Sequence, residues 1–330
     1  MKLTFTRFTL LAAFFVLLIQ CKNEPAVLNG SNFFVPEKKF IELPNGETYA
    51  YISGADDDQM LGYGKTVILL HGNLASSVFF TPLLEYLKDV HVIMPDLRGF
   101  GDSSYKNRIS KISELAEDIK LFTEALDISQ VHVVGWSLSG GVAMELALMY
   151  PDLVLSLFII QGMSHKGIPV FGGTYINYYP YSSREEMAGF FLYAPQIKAL
   201  EEKNADYFRK MWDTSVYTNN KPTAAESRIY IKETLKQRNL IDIFWAIAHF
   251  NLSDQHNGYV QGTGTIGDIK NPVTFTNAQN EKVIFPSTII ENAAAIPGSK
   301  LLFYSNTGHS PMIDIPDRLA ADILENAGIN

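Results

Sequence analysis

Val131-His132-Val133-Val134-Gly135-Trp136-Ser137-Leu138-Ser139-Gly140-Gly141 is the stretch of this 330-residue chain most plainly built for chemistry. A β-branched run leads into small–x–Ser–x–small and then directly into a helical pattern. In a strand–turn–helix setting that spacing forces a sharp, strained turn, which pushes the serine hydroxyl out at the carboxyl edge of a sheet. The following helix sets its positive dipole end and its free N–H groups beneath the same point. The chemistry is nucleophilic attack by Ser137. The second glycine of the common motif is Ser139 here, one small residue for another.

Elements that could carry this turn surround it. Strand-like runs occupy Lys38–Leu43, Thr48–Ser53, Thr66–Leu70, Val90–Met94, Val131–Gly135 and Leu153–Ile160. Apolar residues recur at helical spacing over Ile112–Leu126 and Val142–Met149. Nearly continuous Val/Ile/Leu strands alternating with helices predict an α/β fold, a mostly parallel, doubly wound sheet covered on both faces. After Gln161 the rhythm breaks. Residues 163–262 are dense in aromatics, among them Tyr178, Tyr179, Phe190, Phe191, Trp212 and Trp245, with helical patterning over Arg184–Trp212 and Ala224–Phe250. The βα rhythm returns with strands Val273–Thr276 and Lys300–Tyr304 and helices around Ser287–Ala295 and Pro316–Asn326. The expected organisation is a core over 38–162 and 263–330 with a helical insert, 163–262, after the sixth core strand.

With these motifs the chain resembles the α/β-hydrolase family over about residues 38–330. Two further stretches match. Leu69-Leu70-His71-Gly72-Asn73 ends a strand, and the resemblance implies that the Asn73 N–H joins the N–H of Leu138 in an oxyanion hole. Asp96-Leu97-Arg98-Gly99-Phe100-Gly101-Asp102-Ser103 resembles the family's D-x-R-G-x-G-x-S loop, a structural turn, and His71 takes the family's loop-holding role. The family's base follows the last core strand. Gly308-His309-Ser310-Pro311 matches it, whereas His91 and His132 begin strands and His165, His249 and His256 lie in the insert. The triad acid follows the preceding strand, and counting from Pro272 places Glu281 where Asp is usual. The alternative position after Leu153–Ile160 offers Gln161 and Gly162, without a carboxylate, and Asp268 is a more remote option.

These residues imply hydrolysis through an acyl-enzyme: Ser137 as nucleophile, His309 as general base and acid, Glu281 orienting it. Serine at the elbow argues against relatives that attack with a carboxylate. The insert stands where the family carries a lid, and its apolar underside favours a small-molecule carboxylic ester with an apolar part. A proline-releasing aminopeptidase, with Glu185, Glu186, Glu201 and Glu202 available for an amine, is the runner-up. A non-catalytic binding module is a third reading, disfavoured by the intact Ser137 and His309.

The N-terminal segment differs in kind. Lys2 and Arg7 precede an unbroken apolar run from Leu10 to Ile19, too short to span a bilayer, which needs about 20 residues. Residues 1–20 therefore read as a signal peptide. The lone cysteine, Cys21, follows at once, and Leu18-Ile19-Gln20-Cys21 resembles the lipobox of bacterial lipoproteins, though Gln20 departs from its small residue. The expectation is export to the cell envelope, with Cys21 a lipid anchor and residues 21–37 a tether. One cysteine excludes a disulfide framework and a multi-cysteine metal site. Lys+Arg 27 against Asp+Glu 35 argues against a nucleic-acid partner. Without Lys2 and Arg7 the balance is 25 against 35, so the membrane would be reached without a basic patch. No cofactor, metal or protein partner is expected, and Asp56-Asp57-Asp58 reads as a solvated turn.

Overall fold

The computed structural model describes residues 34–54, 66–88, 90–174 and 176–329. The signal segment, Cys21 and the Asp56–Asp58 turn lie outside them. The framework is an eight-stranded sheet of β1 (Lys39–Glu42), β2 (Thr48–Ser53), β3 (Thr66–Leu70), β4 (His91–Pro95), β5 (Val131–Trp136), β6 (Val154–Ile160), β9 (Val273–Ala278) and β10 (Lys300–Tyr304). A small hairpin, β7 (Phe171–Gly173) and β8 (Tyr178–Pro180), stands apart from it. The order across the large sheet is β1-β2-β4-β3-β5-β6-β9-β10; β1–β2 and β2–β4 pair antiparallel and the other neighbours pair parallel.

Every residue of β3, β4, β5 and β9 is buried, as their composition requires of strands covered on both faces. Helix α1 (Ile112–Ala125) buries Ile112, Leu115, Ile119 and Phe122, one stripe at 3.6-residue spacing. Helix α2 (Leu138–Met149) is apolar all round because it packs at the centre of the fold, against β5, β6 and α1. The edge strand β10 differs from these four: Leu301 and Phe303 stand exposed, with Tyr304 buried.

Between β6 and β9 lie α3 (Arg184–Ala188), α4 (Ala194–Glu201), α5 (Ala205–Met211), a π-helical turn (Trp212–Val216), α6 (Ala224–Thr234) and α7 (Leu240–Ala248). Two features depart from the periodicity of this region. The hairpin β7–β8 falls where a helical insert was expected, and the pattern over Ala224–Phe250 is broken at residues 235–239. A capping box starts α6: Thr223 Oγ1 accepts from the Glu226 N–H, and Glu226 accepts from the Thr223 N–H at 2.6 Å. Its end is set by tertiary contacts, described below. After β9 come α8 (Pro286–Ala295), the short α9 (Pro311–Asp314) and α10 (Pro316–Ala327), which Gly328 closes at φ 64°.

Candidate active site

Ser137 stands between β5 and α2 with φ 55° and ψ −113°, a backbone state costly for any residue with a Cβ. Hydrogen bonds on both sides hold it there. Its N–H donates to the Ile160 carbonyl at 2.9 Å, and its carbonyl accepts from Gly140 and Met163, each at 3.0 Å. A Cβ at Gly135 would lie 2.3 Å from the Ser139 carbonyl oxygen, so the strand and the first turn of α2 approach too closely for any other residue. Ser139 does more than fill the space of a glycine: its hydroxyl donates to the His71 carbonyl and ties the elbow to the loop after β3.

That loop brings Asn73 to the same edge. A Cβ on Gly72 would meet the Ser137 Cβ at 3.1 Å, so the loop's backbone lies directly against the serine. Leu138, first residue of α2, has an N–H with no intrahelical partner. Among the described residues neither the Asn73 nor the Leu138 N–H has a protein acceptor. His71 is fully buried, its Nδ1 2.8 Å from the Gly72 carbonyl and its Nε2 accepting from the Leu97 N–H at 3.0 Å. Both nitrogens are committed to backbone, which defines a neutral ring with the proton on Nδ1. Burial pushes its pKa down to about 4, against the pull of nearby Asp96.

His309, 2% exposed, lies in the loop after β10. Its Nδ1 is 2.8 Å from Glu281 Oε2, in the loop after β9. The other Glu281 oxygen accepts from the N–H groups of Val283 (2.6 Å) and Ile284 (3.0 Å). Burial alone would raise the Glu281 pKa, but the His309 charge and these donors outweigh it and hold the carboxyl below its ordinary value. Trp136, next to Ser137, donates from Nε1 to the His309 carbonyl at 2.8 Å, and its ring lies 5.7 Å from the imidazole. The structure thus gathers Ser137, Leu138, Asn73, His309 and Glu281 at the carboxyl edge of β3, β5, β9 and β10.

The alternatives fall elsewhere. Gln161 follows β6 with a buried, unpartnered amide and φ 39°, and Asp268 is exposed on the turn before β9, at the opposite end of that strand. His132 faces Ser156, His165 faces Asn292 and His249 faces the Trp245 carbonyl. Arg98 binds Asp118 through two nitrogens at 2.6 and 2.7 Å. Asp96, Asp102 and Glu233 converge closely enough to suggest a cation site. The cation is already supplied: Lys38 Nζ lies 2.8, 2.8 and 2.9 Å from the three carboxylates. Burial would lower the Lys38 pKa, but Asp96 and Glu233 keep the ammonium charged.

The family model for the alpha/beta hydrolase fold matches residues 65–316. The chain belongs to the α/β-hydrolase family. In this α/β-hydrolase the whole sheet edge described above falls within the matched residues. Similar proteins include Lipase 1 of Psychrobacter immobilis, 25% identical over 94% of this chain and 93% of its own. Lipase 3 of Moraxella sp. (strain TA144) is 24% identical over 87% of this chain and 83% of its own. Among solved structures, an esterase from Exiguobacterium antarcticum superposes with a TM-score of 0.66 at 18% identity, covering 88% of this chain and 100% of that one.

The insert reaches this edge with side chains that its periodicity did not single out. Trp212, on the π-helical turn, is 6.2 Å from Trp136 and 5.0 Å from Phe79, ring to ring. Tyr217 stacks on Trp212, and Tyr230 of α6 stacks on Phe79 at 4.6 Å. A strap after the turn binds the loops that carry Glu281 and His309. Thr218 Oγ1 donates to the Asn280 carbonyl at 2.7 Å, and Asp314 accepts from the N–H groups of Asn220 and Gly308, each at 2.7 Å. Asp314 had no motif to mark it. Its signal was an acidic residue five positions after the histidine, which does not by itself distinguish a clamp from a solvated helix end.

Proposed function

We propose that this α/β-hydrolase is a carboxylic ester hydrolase working through an acyl-enzyme on Ser137. The observation that carries the reading is the buried Glu281–His309 pair at 2.8 Å, locked to the strained serine elbow through Trp136. Ser137 Oγ attacks the ester carbonyl carbon while His309 Nε2 takes its proton. Glu281 holds the Nδ1 proton and balances the imidazolium. The N–H groups of Asn73 and Leu138 receive the charge that develops on the carbonyl oxygen. His309 then protonates the departing alkoxide, and the reverse sequence with water frees the acid.

The lipases among the relatives support an ester as substrate. The rings of Phe79, Trp136, Trp212, Tyr217 and Tyr230 favour one with an apolar acyl or alkyl part. The insert over residues 163–262 is read as the cap of this site. Residues 1–20 as signal peptide and Cys21 as lipid anchor would place the enzyme at the cell envelope; an unmodified mature N-terminus elsewhere than Cys21, measured by mass spectrometry, rejects that placement.

The decisive experiment is labelling by a fluorophosphonate probe alongside turnover of p-nitrophenyl esters of rising chain length. Wild-type protein is expected to be labelled and active, and Ser137→Ala to lose both. Absence of turnover on every ester removes the proposal.

A further inference from the structure

The loop that carries Asn73 turns left-handed at a residue with a full side chain. Leu74 has φ 60°, a state that costs a non-glycine residue about 1–2 kcal/mol and persists only where its surroundings impose it. Both backbone polar groups of Leu74 are taken by the end of α6 and the turn beyond it. Its N–H donates to Gln237 Oε1 at 3.0 Å, and its carbonyl accepts from Thr234 Oγ1 at 2.7 Å. The same Gln237 amide donates from Nε2 to Asn73 Oδ1 and to Asn239 Oδ1, each at 2.9 Å. Asn239 Nδ2 in turn donates to the Arg98 carbonyl. Thr234, Gln237 and Asn239 are all buried, so these bonds form away from competing water.

We propose that Thr234 and Gln237 are positioning residues that aim the oxyanion hole from the insert. The proposal rests on reading Asn73 as an oxyanion donor. Gln237 fixes the Asn73 side chain and, through the Leu74 N–H, the peptide that follows Asn73, and Thr234 holds the next peptide by the Leu74 carbonyl. On the other side Gly72 is pressed against the Ser137 Cβ. With both flanks held, φ and ψ of Asn73 are determined, and with them the direction of its N–H. An oxyanion donor acts within a window of a few tenths of an ångström, so a loosened loop costs transition-state stabilisation while leaving apolar substrate contacts in place. The insert therefore completes the machinery and does not merely cover it.

The test uses the full-length protein and the p-nitrophenyl ester that wild type hydrolyses fastest. Active sites are titrated with the fluorophosphonate probe, so that kcat refers to folded enzyme. Thr234→Val and Gln237→Leu are each expected to lower kcat by about tenfold or more, with KM within about threefold. The pH dependence of kcat/KM should not move, because the Glu281–His309 pair is untouched. Thr234→Ser, which keeps the hydroxyl, should retain kcat. The double variant should lose less than the product of the two single losses, since both act on one loop. Titrated enzyme that keeps wild-type kcat in Thr234→Val and Gln237→Leu, or that changes in KM alone, overturns the inference. Wild type that neither labels nor turns over any ester overturns the hydrolase reading as well; labelled, active wild type with kcat-neutral variants overturns this inference alone.

Discussion

Glu281 is a carboxylate with three hydrogen-bond donors and no exposed side-chain surface. Its two oxygens have separate tasks: one orients His309, the other is anchored by the N–H groups of Val283 and Ile284. Replacing it with glutamine keeps the shape but offers an amide that can present its N–H to Nδ1 and stabilise the wrong tautomer. Glu281→Gln is therefore expected to lower kcat by about 10³-fold or more without unfolding the protein. Steady-state kinetics beside thermal denaturation would check this; a loss of less than about tenfold would remove Glu281 from the triad. A glutamate at this position was readable only by counting along a known pattern. Nothing in Asn280-Glu281-Lys282 itself distinguishes it from a solvated loop, since the partner that gives the carboxylate its role, His309, lies 28 positions away.

At the scale of elements, the elbow depends on a close approach between β5 and α2. Gly135→Ala would place a methyl group 2.3 Å from the Ser139 carbonyl, against backbone that cannot yield without moving Ser137. The expected cost is about 1–3 kcal/mol of stability, with activity falling further because Ser137 shifts; urea unfolding at neutral pH measures the first. The strap at residues 216–220 is the second such element. A Cβ at Gly308 would lie 2.1 Å from Thr218 Oγ1, so Gly308→Ala should disturb the histidine loop, and Gly308→Ala with Thr218→Ser should not recover, because the hydroxyl remains in the way. Gly308→Ala combined with Thr218→Gly should recover part of the activity. Helix α6 shows why element ends in the insert were less legible than those of the core. Periodicity carries the helix to Phe250, yet Gln237 and Asn239 spend their amides on Asn73, Leu74 and Arg98, and the chain turns there.

The whole molecule carries the acid sensitivity. His71 is neutral in the fold because burial lowers its pKa to about 4, whereas the unfolded chain binds that proton near pH 6.5. The unfolded state therefore holds more protons between those values, and stability falls as pH drops through them. By pH 4 the loss from His71 is about 3 kcal/mol at about 1.4 kcal/mol per unit. His165 and His249, also lowered by burial, act in the same direction. Glu281, held below its ordinary value, adds a further loss as pH falls through the carboxylate range. Urea unfolding at pH 7.5 and 4.5 should give this drop in wild type and a shallower one in His71→Gln; equal slopes would contradict the assignment.

Local chemistry determined a good part of this protein. Short runs of β-branched and other apolar residues bounded by polar or turn residues made β2, β3 and β10 readable to the residue, and the wholly buried runs such as β3 the α/β class with them. The serine elbow and the Gly-His-Ser-Pro loop are likewise written in short segments, because a strained turn tolerates few residue types. Tertiary structure decided what depends on distant partners. The ionised, buried Glu281, the Asp314 clamp, the hairpin at Phe171–Pro180 and the hold of Thr234 and Gln237 on the Asn73 loop all arise between segments far apart in the chain. Polar residues make such contacts by position in space, and no periodicity along the chain records which partner they will meet.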